Sequence, residues 1–275
     1  MSRMTWDKVG ERFFETGVDH GVLFTMKNDG TYNKGVNWDG LTSVNESPEG
    51  GEANDIYADN IKYLSLMSAE QFKASIGAYQ SPEEFDECDG AAALATGVYA
   101  GQQSRRGFGF SYRSKIGNDV EGDDYGYKLH LVYNAKCSPS EKDRSTVNDN
   151  PEATELSWDV DTTPVNVSAI NPSTGKAYKP TAHLWIDSTK VDADKLAAFE
   201  DILYGTDGGD SYNAVTPEGT ENPTTEGWYE LSSTSYVLST DTTVDTEKTY
   251  YVKTTSAGTD STLPSPDEVY AFFNS

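Results

Sequence analysis

The segment from Arg105 to Ala135 constrains the fold of this chain most strongly, because apolar and polar residues alternate along it with the period of a β-strand. A period of two with many aromatic residues indicates pleated sheet with one buried face. Two such strands flank a short acidic stretch, so the segment predicts an antiparallel hairpin whose face pairs with another surface. The candidates for a subunit interface are Arg105, Arg106, Phe108, Phe110 and Tyr112.

The charge of the chain limits its partners. Its 275 residues include 21 Lys and Arg against 45 Asp and Glu, a net charge of −24. Such a chain has few cations that could displace counterions from a phosphate backbone, and it should be repelled by nucleic acid and by anionic membranes. High solubility is an alternative explanation of the same charge.

The cysteines and the N-terminal residues bear on the cellular compartment. Cys88 and Cys137 do not suffice for a disulfide framework or a zinc motif, so free thiols are expected. The first residues lack the apolar run of a signal peptide, and no run approaches membrane-spanning length. We therefore expect a protein that is made in a cytoplasm and stays soluble until it assembles or is released.

Strand patterns dominate the chain, and one segment has a clear helical pattern. That segment can be capped by Asp192 at its start and by Gly205 at its end. Its apolar stripe consists of Leu196, Phe199, Ile202 and Leu203. The residues from Ser81 to Glu84 predict a capping box that opens a further, short helix. One main helix beside many antiparallel strands indicates a mainly β, α+β fold with that helix packed on a sheet.

The composition changes after the helix and indicates a second module. Residues 212–261 predict a small β meander with strands at Trp228–Leu231, Tyr236–Leu238 and Thr249–Val252, bounded by polar linkers. Residues 262–275 are apolar again and are expected to return to the main domain. The predicted organisation is thus a β domain over 1–211, an external module over 212–261, and a terminal segment over 262–275.

Known catalytic patterns are missing from the sequence. It has no HExxH, GxSxG, P-loop or dinucleotide-binding glycine motif. His20, His130 and His183 each stand alone in a predicted strand. The acidic runs Asn118–Asp124 and Gly205–Asn213 offer oxygen ligands for calcium, but without EF-hand spacing, so solvated loops are the preferred interpretation. We therefore predict no enzyme activity, no catalytic residue, no metal site and no cofactor.

Several segments, in this order, resemble the major tail proteins, or tail tube proteins, of bacteriophages with long non-contractile tails, especially those of Gram-positive hosts. The resemblance covers about residues 9–211 and 262–275, and the module at 212–261 departs from it. The segments that carry it are VGERFFETGVDHGVLF, GTYNKGVNWDGLTSVNESPEGGE, IYADNIKYLSLMSAEQF, YQSPEEFDECDG, QQSRRGFGFSYRSKIGND, KLHLVYNAKCSPSEK, ELSWDVDTTPV, LAAFEDILYG and LPSPDEVYAFF.

This resemblance implies a tail-tube fold of two packed antiparallel sheets with one flanking helix. It implies six copies in a ring, with rings stacked into a tube through which DNA passes. The implied partners are the chain itself, a tape-measure protein, and the tail terminator and distal tail proteins, with DNA present only in transit and no membrane. The implied location is the virion tail, assembled in the host cytoplasm.

A tube gives the acidic residues a role, because a wall of carboxylates offers DNA no gain from counterion release. The candidates for the lumen are Asp39, Glu46, Asp55, Asp59, Asp119, Glu121, Asp123 and Asp124. Strand alternation cannot place all of them on one face without a bulge. A long acidic loop over residues 45–55 is expected to bridge neighbouring rings. Its candidates are Asn45, Glu46, Pro48, Glu49, Glu52 and Asp55.

A secreted or displayed β-rich adhesion protein that binds calcium or sugar is the alternative. It explains the module rich in Tyr, Trp and Thr, but it does not explain why a signal peptide is missing.

Overall fold

A computed structural model of the protein describes residues 4–142, 144, 146, 153–215, 227–232, 235–241, 243–245 and 247–275. The chain divides into two compact units, the first formed by residues 1–204 and 261–275 and the second by residues 205–260. The second unit therefore begins seven residues before the module expected from the sequence. No helix in the described part of the chain is long and apolar enough to cross a membrane.

The fold is mostly β, with antiparallel pairing, as the sequence indicates. The strands of the first unit are β1 (Phe13–Thr25), β2 (Val36–Trp38), β3 (Leu41–Glu46), β4 (Ala53–Ala58), β5 (Ile61–Met67), β6 (Lys73–Ala78), β7 (Ala92–Ala95), β8 (Val98–Ala100), β9 (Phe108–Asn118), β10 (Gly122–Cys137), β11 (Leu156–Thr162), β12 (Ile170–Asn171), β13 (Lys176–Ala177) and β14 (His183–Asp187). Those of the second unit are β15 (Gly209–Val215), β16 (Tyr229–Ser232), β17 (Ser235–Leu238) and β18 (Tyr250–Ser256). The α-helices are α1 (Ala193–Tyr204) and α2 (Pro266–Asn274), and a 3₁₀-helix spans Glu83–Phe85.

One continuous sheet takes the place of the two expected sheets. In the described residues its strand order is β2-β1-β9-β10-β11-β6-β3, and β14 also pairs with β10. The long strand β10 joins the two halves, because one of its edges pairs first with β14 and then, from Ala135 onward, with β11. The register between β9 and β10 shifts between Val132 and Ala135, where Asn134 has a φ of 48°. A bulge of this kind bends a strand, so one sheet can curl over itself.

A first core lies between the two halves of the curled sheet. Trp38 is at its centre, with ring centroids 4.5 Å from Phe85 and 5.5 Å from both Phe110 and Trp158. Both cysteines are buried free thiols, and both belong to this core. The remaining buried members are Leu23, Ile76, Ala78, Phe108, Tyr112, Val132, Ala135, Val160.

A second core covers the other face of β9 and β10. There Leu129, Leu131 and Tyr133 of β10 pack with Leu196, Phe199 and Leu203 of α1. The hairpin is therefore buried on both faces, rather than on the single face that its sequence pattern indicates. Phe108, Phe110 and Tyr112 have only 0%, 2% and 3% of their surface exposed. The prediction that these three residues form a subunit interface is wrong, because their side chains fill the subunit's own first core.

Helix α1 has the cap and most of the stripe that its sequence predicts. The carboxylate of Asp192 accepts hydrogen bonds from the backbone amides of Asp194 and Lys195, both at 3.1 Å. Gly205 follows the helix with a φ of 80°. Leu196, Phe199 and Leu203 of the stripe are buried, but Ile202 is 39% exposed.

The second helix was not predicted, and it begins with a complete capping box. The Ser265 hydroxyl accepts from the Glu268 amide, and the Glu268 carboxylate accepts from the Ser265 amide at 2.8 Å. At the predicted capping box, Pro82 occupies the cap position instead of Ser81, and only the 3₁₀-helix forms.

The second unit is a sheet of four described strands in the order β15-β18-β16-β17. The sequence predicted three strands and missed β15, which pairs with β18 from Gly209 to Val215. The rings of Trp228 and Tyr250 pack 4.9 Å apart, and both side chains are buried within this unit.

Candidate functional site

The hairpin of β4 and β5 in the first unit exposes apolar side chains on both of its strands. It forms a two-stranded sheet of its own among the described residues. Asp59 and Asn60 form its turn with φ values of 52° and 62°, and two consecutive residues of positive φ are typical of a type I′ hairpin turn. Asp55 accepts from the Ser65 hydroxyl at 2.6 Å and pairs with Lys62 at 2.7 Å, which ties the two strands together.

Both faces of this hairpin are apolar. Every residue of β5 is exposed, and successive side chains of a strand point to opposite faces. The pairing with β4 shifts register between Lys62 and Leu64, so Ile61, Leu64 and Leu66 lie on one face, whereas Met67 lies on the other, which also carries Tyr57. An isolated two-stranded sheet is marginally stable in water, and exposed apolar strand edges promote association. The hairpin thus has the character of a binding element.

Two further elements expose apolar side chains. In the N-terminal residues, Met4, Trp6 and Val9 are each at least 75% exposed. This stretch is held to the turn between β9 and β10, because the Gly10 amide donates to Asp119 at 2.9 Å. The hairpin of β7 and β8 exposes Leu94, Val98 and Tyr99.

The acidic residues predicted for a lumen lie on separate elements. Asp39 follows β2, and its carboxylate accepts from the side-chain Nδ2 of Asn37 at 2.8 Å. Asp55 and Asp59 belong to the β4–β5 hairpin. Four others lie in or beside the turn between β9 and β10, namely Asp119, Glu121, Asp123 and Asp124. The structure therefore does not bring the eight candidates onto one strand face.

The long acidic loop expected between residues 45 and 55 is shorter than predicted. Asn45 and Glu46 belong to β3, and Asp55 belongs to β4. Pro48 and Glu52 lie in the remaining connection. Within it, the backbone of Glu49 makes two hydrogen bonds with that of Gln71, at 2.9 and 2.7 Å. The element that extends from this region is the following hairpin, which the sequence analysis did not single out.

The predicted interface arginines have partners within the subunit. Arg105 pairs with Asp89 at 3.2 Å, and Arg106 pairs with Glu87 at 2.6 Å. The guanidinium of Arg106 also donates to the backbone carbonyl of Met26. These arginines fix the connection that follows the 3₁₀-helix to the end of β1, rather than pairing with a neighbouring surface as the sequence had suggested.

A polar network lies at the margin of the first core. His130 and His183, which the sequence places alone on separate strands, come together on the adjacent strands β10 and β14. Their facing nitrogens, Nδ1 of His130 and Nε2 of His183, are 3.1 Å apart. Glu46 joins them from β3, with an oxygen 3.5 Å from Nδ1 of His130. The Tyr112 hydroxyl donates to the same carboxylate at 2.7 Å.

The surroundings of this network control its protonation. Burial and the neighbouring His183 lower the pKa of His130, and burial also lowers the pKa of His183. Burial raises the pKa of Tyr112, and its hydrogen bond to Glu46 adds to that effect. Both imidazoles and the phenol are therefore neutral near pH 7.

Comparisons with known proteins add no identification. Neither the comparison with protein-family models nor that with curated protein sequences gives a match.

Proposed function

We propose that this chain is a structural subunit of the tail tube of a bacteriophage with a long non-contractile tail. In this proposal six copies form a ring, rings stack into a tube, and DNA passes through the tube into the host. The other partners would be a tape-measure protein and the tail terminator and distal tail proteins. The proposal begins from the ordered sequence segments that resemble the tail tube family.

The observation that best supports the proposal is the β4–β5 hairpin. Its exposed side chains include Tyr63 at 67%, Leu66 at 55% and Met67 at 73%. Apolar side chains on both faces of a projecting strand pair are a liability for an isolated protein, because free strand edges template aggregation. In a regular assembly, a neighbouring copy would cover them. The hairpin therefore replaces the acidic loop as the element proposed to link copies.

The charge supports the same proposal in a second way. A subunit with a net charge of −24 gives a tube a surface on which DNA gains nothing from counterion release. Screening confines the repulsion to within about 8 Å at physiological salt. The turn between β9 and β10 is the proposed source of lumen charge, because its carboxylates at Glu121, Asp123 and Asp124 are exposed.

Electron microscopy of a hairpin deletion tests the proposal. The Ser68 amide donates to the Glu52 carbonyl at 3.2 Å, so residues 53–67 can be replaced by a two-glycine linker without stretching the chain. The full-length protein should form rings or tubes in negative stain. The deletion variant should keep its circular dichroism spectrum and unfolding midpoint but sediment as a monomer. Tubes of normal length from the deletion variant would contradict the role of the hairpin.

Removal of the second unit provides the matched control. The Thr262 amide donates to the Ile202 carbonyl at 2.9 Å, so Tyr204 can be joined to Ser261 without rearranging the first unit. We expect tubes to form from this variant, because the second unit has its own sheet and core. If assembly is lost here too, the second unit belongs to the subunit interface.

An adhesion protein is the alternative function, and one observation favours it. Tyr212, Tyr229, Tyr236 and Tyr251 form a continuous aromatic group on the sheet of the second unit, with the rings of Tyr212 and Tyr236 stacked 4.1 Å apart. Half-buried aromatic rings suit contact with the apolar faces of sugars. Monomeric particles of the full-length protein, together with glycan binding that disappears when the second unit is removed, would favour this alternative over the tube.

A further inference from the structure

We propose that Glu46, His130 and His183 form a binding site for a divalent transition-metal ion, with Zn²⁺ as the best-suited ion. The three side chains each offer one ligand atom, and these atoms all lie within 4.8 Å of one another. The inference is independent of the tube proposal, because it depends only on side chains within one subunit.

The donor set selects the class of metal. Two imidazole nitrogens and one carboxylate oxygen suit Zn²⁺ and its neighbours Co²⁺, Ni²⁺ and Cu²⁺, whereas Ca²⁺ and Mg²⁺ prefer oxygen ligands throughout. Three protein ligands leave a fourth tetrahedral position for water. The exposed acidic turns of the chain lack imidazole and therefore do not offer this chemistry.

The spacing of the ligand atoms fits one ion after a small adjustment. Bonds of about 2.0–2.1 Å at tetrahedral angles place two nitrogen ligands about 3.3–3.4 Å apart. The facing nitrogens of His130 and His183 are 3.1 Å apart, and Glu46 lies 3.5 Å from that of His130. The imidazole planes are within 4° and the ring centroids are 5.3 Å apart, so the rings meet edge to edge. In this arrangement the lone pairs point along the line between the two nitrogens, so both rings would have to turn for the lone pairs to meet at one ion.

Neighbouring groups orient the ligands in the way that metal sites require. The Ser114 hydroxyl lies 3.0 Å from Nε2 of His130, and a hydrogen bond there leaves Nδ1 free to face His183. The Tyr112 hydroxyl donates to Oε1 of Glu46, the oxygen that lies 3.5 Å from His130, and Oε2 lies 4.0 Å from Nδ1 of His183. The Phe72 ring stacks on His183 with centroids 4.4 Å apart. Hydrogen bonds to metal-ligating side chains fix their orientation and raise metal affinity.

An ion can reach the site from the surface. A cavity of about 420 Å³ opens beside Glu46 and His130, and Tyr112 and Ser114 also line it. The Glu46 side chain is 37% exposed, whereas those of His130 and His183 are 8% and 10% exposed. The ion would thus enter past the carboxylate and meet the two imidazoles in the interior.

Such an ion would connect strands that do not pair with each other. In the described sheet β3 pairs with β6, and β14 pairs with β10. One ion coordinated by Glu46 and the two histidines would therefore link β3, at one end of the curled sheet, to β10 and β14 near its middle. We expect the ion to stabilise the fold, because it binds a site that the unfolded chain lacks.

Metal titration of the full-length protein tests the site. After treatment with a chelator and its removal, Zn²⁺ at a hundredfold excess over its Kd should raise the unfolding midpoint by about 5 °C or more, whereas Mg²⁺ should not. Co²⁺ should give the visible absorption bands of a tetrahedral complex with one equivalent bound. If neither the thermal shift nor these bands are observed, the proposal is wrong.

Variants assign the binding to these residues. Glu46→Gln and His183→Gln each remove a ligand and should weaken binding tenfold or more. Ser114→Ala removes only a hydrogen bond to His130 and should weaken binding by about tenfold. The matched control is His20→Gln, because His20 is half-exposed and lies next to Asp19 rather than at the site. Binding must persist in this control. Unchanged Zn²⁺ affinity in both Glu46→Gln and His183→Gln would overturn the assignment, and Glu46→Gln remains informative if a histidine variant does not fold.

Discussion

The guanidinium of Arg113 lies over the ring of Tyr127, 4.5 Å from its centroid, and both side chains reach Glu200 of α1. Arg113 also pairs with Asp19 of β1 at 3.2 Å. Burial and the hydrogen bond to Glu200 raise the pKa of Tyr127 to about 12, so the phenol remains a donor at every pH at which the protein is handled. Three strands and a helix are therefore joined through one arginine.

Replacing this arginine should loosen the helix from the sheet. We expect Arg113→Leu to lower the free energy of unfolding by about 1–3 kcal/mol, because a cation–π contact and charge-assisted hydrogen bonds are lost together. Urea unfolding measures the change. Lys115→Leu is the control, since Lys115 is 42% exposed and its pair with Asp123 is 3.6 Å long. Equal losses in both variants would contradict a special role for Arg113.

The same cluster predicts a dependence of stability on pH. Burial acts to raise the pKa of Asp19, but hydrogen bonds from His20 and Arg113 outweigh it, so the pKa is lowered from 3.8. The stabilisation should be complete above the unfolded-state pKa and should be lost as the pH falls through the folded-state pKa. Because Asp19 is one-third exposed, the effect should stay below about 1 kcal/mol. Urea unfolding of the wild type and Asp19→Asn should converge as the pH falls below about 4. A constant difference down to the lowest pH would argue against the mechanism.

The two thiols should be unreactive in the folded protein. Burial raises the pKa of Cys88 to about 12 and also raises that of Cys137. A thiol reagent should therefore modify neither cysteine at about pH 8 until the protein opens, and both should react in denaturant. Ser173→Cys provides a positive control, because position 173 is exposed. Fast modification of the unaltered protein would show that the first core is not closed.

The proposed lumen charge can be reversed without disturbing the fold. Glu121, Asp123 and Asp124 are exposed, so converting all three to Lys should leave the unfolding midpoint nearly unchanged. Tubes of this variant should bind short DNA duplexes, and the binding should weaken steeply as salt is raised. Added DNA and a salt series in a filter-binding assay measure this. If the tubes do not bind DNA at low salt, this turn does not line the lumen.

The sequence predicts best those elements whose signals are local. The cap at Asp192 and the stripe of α1 are complete within a dozen residues, so they were found. The segments Ser81–Glu84 and Ser265–Glu268 share the pattern Ser-Pro-acidic-Glu, yet only the second opens an α-helix. After the first, only Glu83–Phe85 are helical, and Gly90 follows with a φ of 83°. Local pattern alone does not separate the two.

The features that the sequence did not predict depend on contacts between residues that are distant in the sequence. His130 and His183 are 53 residues apart, and only the pairing of β10 with β14 places them side by side. Likewise, nothing within β9 indicates that its aromatic face meets the other half of its own sheet. An alternating strand shows that a face is buried, but it does not distinguish burial by a partner from burial by the rest of the same chain.

The bend at Asn134 has a consequence for how the first unit unfolds. Strand β10 sends Val132, Ala135 and Cys137 into the first core and Leu129, Leu131 and Tyr133 into the second, and β1 is divided between them in the same way. Because β1 and β10 contribute to both cores, one core cannot unfold while the other stays folded. The first unit should therefore denature in a single cooperative step, despite having two hydrophobic interiors.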